Sequence, residues 1–130
     1  MIEIDTEKTV NVLDITGRVN QAIRESDIKS GLALVYTMHT TCGITVNEAD
    51  EALIEDMLSL LERLVPQSAG YRHDRGDGNA HAHLRAMLLA SSATIPVEEG
   101  ALALGTWQRI LFLEMDGPRR RRIAVRAIPA

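Results

Sequence analysis

Aromatic side chains are nearly missing from this chain: Tyr36, Tyr71, Trp107 and Phe112 are the full set in 130 residues. A core must therefore be aliphatic, built from Leu, Ile, Val, Ala and Met. Cysteine is scarcer still. Cys42 stands alone, which excludes an intrachain disulfide and a cysteine-rich zinc cluster and suits a reducing compartment. No apolar run approaches the ~18 residues of a membrane helix. The opening Met1-Ile-Glu-Ile-Asp-Thr-Glu-Lys lacks the basic start and apolar stretch of a signal peptide. These absences point to the cytoplasm, with no membrane partner. Excess positive charge is absent too: 14 basic against 18 acidic residues leave −4, which argues against general nucleic-acid binding. The length also excludes a (β/α)₈ barrel, which needs about 250 residues.

What is present has the proportions of one globular domain over residues 1–130, with 45% hydrophobic and 25% charged residues. Val10–Leu13 reads as a first short strand. Thr16–Ser26 reads as a helix capped by Thr16, with Val19, Ala22 and Ile23 on one side. Leu32–Met38 and Ile44–Asn47 read as strands. Asp50–Val65 is the clearest helix, with one stripe at Leu53, Met57, Leu60 and Leu64 and its neighbour at Ile54, Leu58, Leu61 and Val65. Pro66 ends it. Residues 66–79 lack periodicity, and a loop that long in a compact domain is usually functional or disordered. Asn79 is placed to cap a helix over Ala80–Ala90, with Leu84, Met87 and Leu88 as its stripe. Ala93–Val97, Ala101–Leu104, Ile110–Met115 and Ile123–Ile128 read as strands, the last two forming a hairpin about Asp116-Gly117-Pro118. The order predicts an α+β fold: a single domain with a mostly antiparallel, β-sandwich-like core and two to three helices.

The histidines carry the chemistry. His39 closes a strand, His73 lies in the long loop, and His81 and His83 open a helix. Strand ends and helix starts around a loop are where pockets form. His39, His73 and His83 make a candidate zinc-like ligand set, since neutral imidazoles suit such a metal and three of them leave an open position. His81 and His83 differ by about 200° around a regular helix and cannot share one ion. The competing reading is of surface or capping histidines that bond only backbone or an anion. Cys42, three residues after His39, is either a nucleophile or a small buried hydrophobe, and the strand-like surroundings favour the second. Glu51 and Glu55 read as a solvated helix face. Glu48 and Asp56 are the better acid–base candidates, and with Asn47 they are the candidates to orient the histidine rings. Gly105-Thr106-Trp107-Gln108 holds the only Trp and suits a binding wall or a subunit contact. Arg119–Arg122 alternates between strand faces, and the reading pairs it with the acidic 47–65 segment of another subunit.

Three stretches together resemble the small YjbQ-like proteins, a family described as secondary thiamine-phosphate synthases. They are His39-Thr-Thr-Cys-Gly-Ile-Thr-Val-Asn-Glu48; Gly70-Tyr-Arg-His73 with Asn79-Ala-His-Ala-His83; and Ser91-Ser-Ala-Thr-Ile-Pro-Val with Gly100 and Leu104-Gly-Thr-Trp-Gln108. The resemblance implies an α+β fold, a homotrimer and a thiamine-phosphate synthase activity, as a main or a side reaction. That reaction joins hydroxymethylpyrimidine diphosphate to a thiazole phosphate. The family positions that look functional match His39, Asn47, Glu48, Asp56, His73, Asn79, His83, Thr106, Trp107 and Gln108.

These readings combine into one expectation. His39, Glu48, Asp56 and His83 are the catalytic candidates. Asn47, Asn79, Thr106, Trp107 and Gln108 are the substrate-binding candidates, around a histidine-lined pocket at a subunit interface. The expected partner is a small phosphorylated substrate. The expected cofactor is a divalent metal: zinc-like if the histidines hold it, magnesium if a diphosphate brings it. The alternatives are a non-catalytic trimer that binds a metal or a phosphorylated metabolite, and a purely structural trimer.

Overall fold

The chain crosses between two antiparallel sheets at almost every turn, which makes the sandwich a direct consequence of its topology. A computed structural model describes residues 1–130. Its elements run β1 (Ile2–Asp5), β2 (Asn11–Asp14), α1 (Thr16–Ser26), β3 (Gly31–Thr37), β4 (Cys42–Asn47), α2 (Glu51–Leu64), a short 3-10 helix (Arg72–Arg75), α3 (Ala80–Leu89), β5 (Ser92–Glu98), β6 (Ala101–Leu102), β7 (Arg109–Glu114) and β8 (Arg120–Pro129). One sheet has the order β1-β8-β3-β5-β6 and the other β2-β7-β4. No helix is long and apolar enough to cross a membrane.

Period-two alternation along β7 explains the layers. Ile110 and Phe112 face the five-stranded sheet and join Ala33, Val35, Ile95 and Ile123 in the main core, which α1 closes with Val19 and Ile23. Leu111, Leu113 and Met115 face the other way and pack with Leu61 of α2 and Ala82 of α3. Strand β7 is thus covered on both sides, and Phe112 is fully buried.

Several expectations need correction. The segments around Asp116-Gly117-Pro118 do not form a hairpin: β7 pairs with β2 and β4, whereas β8 pairs with β1 and β3. The turn, with a cis Gly117–Pro118 bond, carries the chain from one sheet to the other. Periodicity does not announce strand β1, whose apolar residues are only Ile2 and Ile4. Arg120–Arg122 supply its partners. Helix α3 does not bury the predicted stripe. It packs through Ala80, His81, Ala82, Arg85 and Ala86, leaving Met87 72% and Leu88 54% exposed. Small residues let α3 approach the sheet closely, so the larger ones face out. The two stripes on α2 part only at its C-terminal half: Leu61 and Val65 are buried, Leu60 and Leu64 exposed, and Leu53, Ile54, Met57 and Leu58 half-buried. Neither predicted cap works as expected. Asp74 Oδ1, not Asn79, accepts from Ala80 N at 3.0 Å. At α1, Asp14 Oδ1 accepts from the Thr16 N–H at 3.1 Å, and Thr16 lies inside the helix.

Candidate active site: a two-lobed cleft at His39 and His83

The loop from β3 to β4 carries His39, and the first turn of α3 carries His83. Both line an open cleft of about 630 Å³ whose walls include Tyr36, Cys42, Ala86, Met87 and Ala90. They also line an adjoining hollow of about 350 Å³ with Thr41, Asp77, Asn79, Asp116, Arg119 and Arg121. Met38, His39, Thr40 and His83 belong to both. The two imidazoles therefore stand where a lobe of mixed apolar and hydroxyl lining meets a charged, arginine-bearing one.

Hydrogen bonds fix the state of His39. The backbone N–H of Arg122 donates to His39 Nε2 at 2.9 Å. An accepting Nε2 leaves the proton of the neutral ring on Nδ1. Partial burial and the Arg121 guanidinium, partly offset by the Glu114 carboxylate, hold the ring below the ordinary histidine range. His39 is thus a neutral hydrogen-bond donor through Nδ1 at neutral pH.

His73 meets His83 edge to face, with ring centroids 4.9 Å apart. Asn79 links this pair to the turn after β7. Its Nδ2 donates to Asp116 Oδ2 at 2.9 Å, and its Oδ1 lies 3.0 Å from His73 Nε2, which therefore donates. Arg119 Nη2 donates to the same Asp116 oxygen at 3.3 Å.

This arrangement bears on the expected metal. His39 Nε2 is engaged by a backbone amide and His73 Nε2 by Asn79. No three His, Cys, Asp or Glu side chains converge as a ligand group. As placed in one chain, His73 packs on His83, and His39 lines the same cleft as His83, but the three do not form a metal-ligand group.

The carboxylate half of the expected site lies elsewhere. Cys42 begins β4 in the cleft wall, while Asn47 ends the strand at its opposite end. There Asn47 Oδ1 accepts from Glu48 N at 2.8 Å. Glu48 shares a separate hollow with Asp14, Asp50, Thr106, Trp107 and Arg109. Gln108 Oε1 accepts from Gly105 N at 2.8 Å, which closes a tight turn and presents Trp107, 71% exposed. Asp56 is exposed on α2. Within one chain, then, His39, His73, Asn79 and His83 come together, and Asn47, Glu48, Asp56, Thr106, Trp107 and Gln108 do not join them.

Glu114 and Arg121 were not among the sequence candidates. Glu114 is fully buried, and Arg121 is 4% exposed. Burial alone would raise the Glu114 pKa, but hydrogen bonds from Arg121 and Thr6 outweigh it and hold the carboxyl below its ordinary value. The signal was available: Glu114 continues the Ile110-Phe112 alternation, and Arg121 that of Ile123 and Val125, so each charge occupies a core-facing position. The arginine run also finds its partners inside the chain. Arg119 pairs with Asp116, Arg120 with Asp5 and Glu3, Arg121 with Glu114 and Arg122 with Glu3.

Comparison with known proteins agrees with this architecture. The UPF0047 protein YjbQ-like family matches residues 1–130. A UPF0047 protein of Archaeoglobus fulgidus is 53% identical over 127 residues, covering 98% of each chain. UPF0047 protein YugU of Bacillus subtilis is 43% identical over 122 residues, covering 92% of this chain and 91% of its own. Among solved structures, a YbjQ-like protein of unknown function from Sulfolobus solfataricus superposes with a TM-score of 0.96 at 38% identity, covering 99% of this chain and 94% of that one. A yjbq/upf0047 protein from Clostridium acetobutylicum gives 0.93 at 43% identity, covering 98% of both. With near-complete coverage in sequence and in fold, the chain belongs to the YjbQ-like UPF0047 family.

Proposed function

We propose that this protein is an enzyme acting on a small phosphorylated metabolite, with the His39–His83 cleft as its active site. One observation carries the reading: the two imidazoles occupy the seam between a mixed lobe with an apolar wall of Tyr36, Met38, Ala86 and Met87 and a charged lobe bearing Arg119. A phosphorylated ring compound has the same division, and its reacting bond would lie at the seam. Arg119, whose side chain is exposed, is the arginine that suits the phosphate, because a guanidinium fork matches that geometry. The Arg121 fork is taken by Glu114 and Thr41.

Thiamine-phosphate synthesis is the reaction we propose to test. A C–N bond forms between the thiazole nitrogen and the methylene carbon of the pyrimidine. The C–O bond to the diphosphate breaks, and pyrophosphate leaves with the electron pair. The His39 Nδ1–H is a donor for the departing oxygen. Asp77 and Asp116 line the polar lobe and are the carboxylates that a magnesium ion arriving with the diphosphate would meet.

The cleft is completed in a homotrimer. No helix covers the outer face of the five-stranded sheet, where Leu32 is 43%, Tyr36 41% and Ile128 48% exposed. Tyr36 and the neighbouring Met38 also line the cleft, so a copy seated on this face reaches the site.

A non-catalytic phosphometabolite-binding trimer is the second reading. The observation favouring it is the distance along β4 that separates Glu48 from His39 within one chain.

The deciding experiment pairs calorimetric binding with a turnover assay on hydroxymethylpyrimidine diphosphate and thiazole phosphate in magnesium. Saturable binding and pyrophosphate release are expected, with His83→Ala losing ~10²-fold or more of turnover, the usual scale of acid–base groups. Binding without release supports the second reading. Neither binding nor release removes both.

A further inference from the structure

Two buried charges beside the cleft call for an account. The Arg121 fork meets Glu114 through Nε to Oε1 at 2.8 Å and Nη2 to Oε2 at 2.5 Å. Thr6 Oγ1 donates to Glu114 Oε1 at 2.7 Å, and Asp116 N donates to Oε2 at 3.1 Å. Arg121 Nη2 also donates to Thr41 Oγ1 at 2.8 Å. A buried ion pair is often no more stabilising than apolar packing, so what this pair holds in place matters more than its stability.

The arrangement it specifies is the loop that carries His39. Thr41 lies two residues beyond that ring. Arg121 grips it by its hydroxyl, and Met115 N, next to Glu114, donates to its carbonyl at 3.1 Å. Arg122, next to Arg121, supplies the N–H on His39 Nε2. One buried pair thus fixes both ends of a short span: the loop bearing the imidazole and the strand bearing the amide that reads it. The charged groups about the ring are Glu114 on β7, Arg121 and Arg122 on β8, and Arg119 before β8, with His83 across the cleft.

Resting on the reading of the His39–His83 cleft as the active site, we infer that the Glu114–Arg121 pair positions His39 and fixes its tautomer. It does so by holding the Arg122 amide on Nε2, so that Nδ1–H faces the ligand. Glu114, Arg121 and Thr41 are then positioning residues.

The test is long-range proton–nitrogen NMR of protein labelled in its imidazole nitrogens, at about pH 8, above the ordinary histidine range. No substrate is needed, so the outcome is separate from that of the turnover assay. In the wild-type protein His39 is expected as the Nδ1–H tautomer with a slowly exchanging Arg122 amide. Arg121→Lys keeps the charge and loses the fork. It is expected to leave His39 in a mixture of tautomers and to speed exchange of the Arg122 amide about tenfold or more, with His81 unchanged. Where Arg121→Lys does not fold, Thr41→Val, which leaves the ion pair intact, is expected to move the same two signals. An Nε2–H tautomer in the wild type overturns the inference. So does a folded Arg121→Lys, or in its absence Thr41→Val, with both signals unchanged.

Discussion

The thiol of Cys42 points at a carboxylate: Sγ lies 3.5 Å from Glu114 Oε2. Burial and the Glu114 charge push the thiol up to about 12. A thiolate is therefore scarce at neutral pH, and the thiolate is the nucleophile. Native protein should resist alkylation by iodoacetamide until it unfolds. Cys42→Ala should retain most activity in any assay that the His39–His83 cleft supports. The truncation should lower stability by about 1–2 kcal/mol, read from denaturant titrations. Loss of all activity in folded Cys42→Ala would return the thiol to the chemistry.

Glu114 sets an acid limit. Its folded pKa is depressed, so its contribution is present above the unfolded carboxylate value of about 4.3 and is lost as pH falls through the folded value. Asp14 is also held low: burial raises its pKa, but bonds from Thr16 and Arg109 prevail. Denaturant titrations below about pH 4.3 should show stability falling steeply in the wild-type protein. Glu114→Gln should be weaker by about 3–5 kcal/mol at pH 7, because Arg121 is left buried without its partner. Its acid slope should be shallower. An equal slope in the variant would assign the limit to other carboxylates.

The fold was legible wherever burial was one-sided or continuous. Asp50–Val65 and the apolar strands at 32–38 and 110–115 repeat at helical or strand periods, and all three are found within a residue or two of their expected ends. Pairing was not legible. Periodicity marks Ile110–Met115 and Ile123–Ile128 as strands, but a turn of Asp, Gly and Pro reads the same whether it closes a hairpin or crosses between sheets. The histidine neighbourhood was legible because strand end, loop and helix start converge. The separation of Glu48 from His39 was not, since β4 lies between them and its length is a distance only once the strand is known. Glu114 and Arg121 escaped because each charge sits at the end of an apolar strand, where a polar residue ordinarily marks the return to solvent. Here it marks a buried pair.

His81 is 7% exposed, and its Nδ1 has no hydrogen-bond partner. Burial and Arg85 lower its pKa, with Asp74 and Asp116 opposing. A histidine held below its ordinary value binds its proton more readily when unfolded. Stability is therefore lost as pH falls from about 6.5 toward the folded value. His39 acts in the same direction. His81→Leu removes a buried polar atom whose lack of a partner costs about 1–3 kcal/mol. The variant should be at least as stable as the wild-type protein at pH 7 and should lose less between about pH 6.5 and 5. Urea titrations at several pH values check this. A variant much weaker at pH 7 would show that Nδ1 is satisfied in solution.

The proposed assembly makes a prediction of its own. Leu32, Tyr36 and Ile128 lie on neighbouring strands of the five-stranded sheet, and all are exposed in the single chain. Strand β3 sits between β8 and β5, so the patch is central rather than at an edge. Its apolar side chains have no helix above them. Of the arginines of β8, Arg120, Arg121 and Arg122 already pair with Glu3, Asp5 and Glu114, and Arg126, opposite Leu34, is the one without a carboxylate partner. Association through this face should therefore depend mainly on apolar contact, which salt does not screen. Light scattering at micromolar concentration should return three times the mass of 14.3 kDa, and about 1 M salt should not lower it. Ile128→Glu places a charge in the patch without touching the cleft. It should yield a folded chain of lower mass by the same measurement. A wild-type monomer would remove this assembly, and a trimer that survives Ile128→Glu would move the contact to another face.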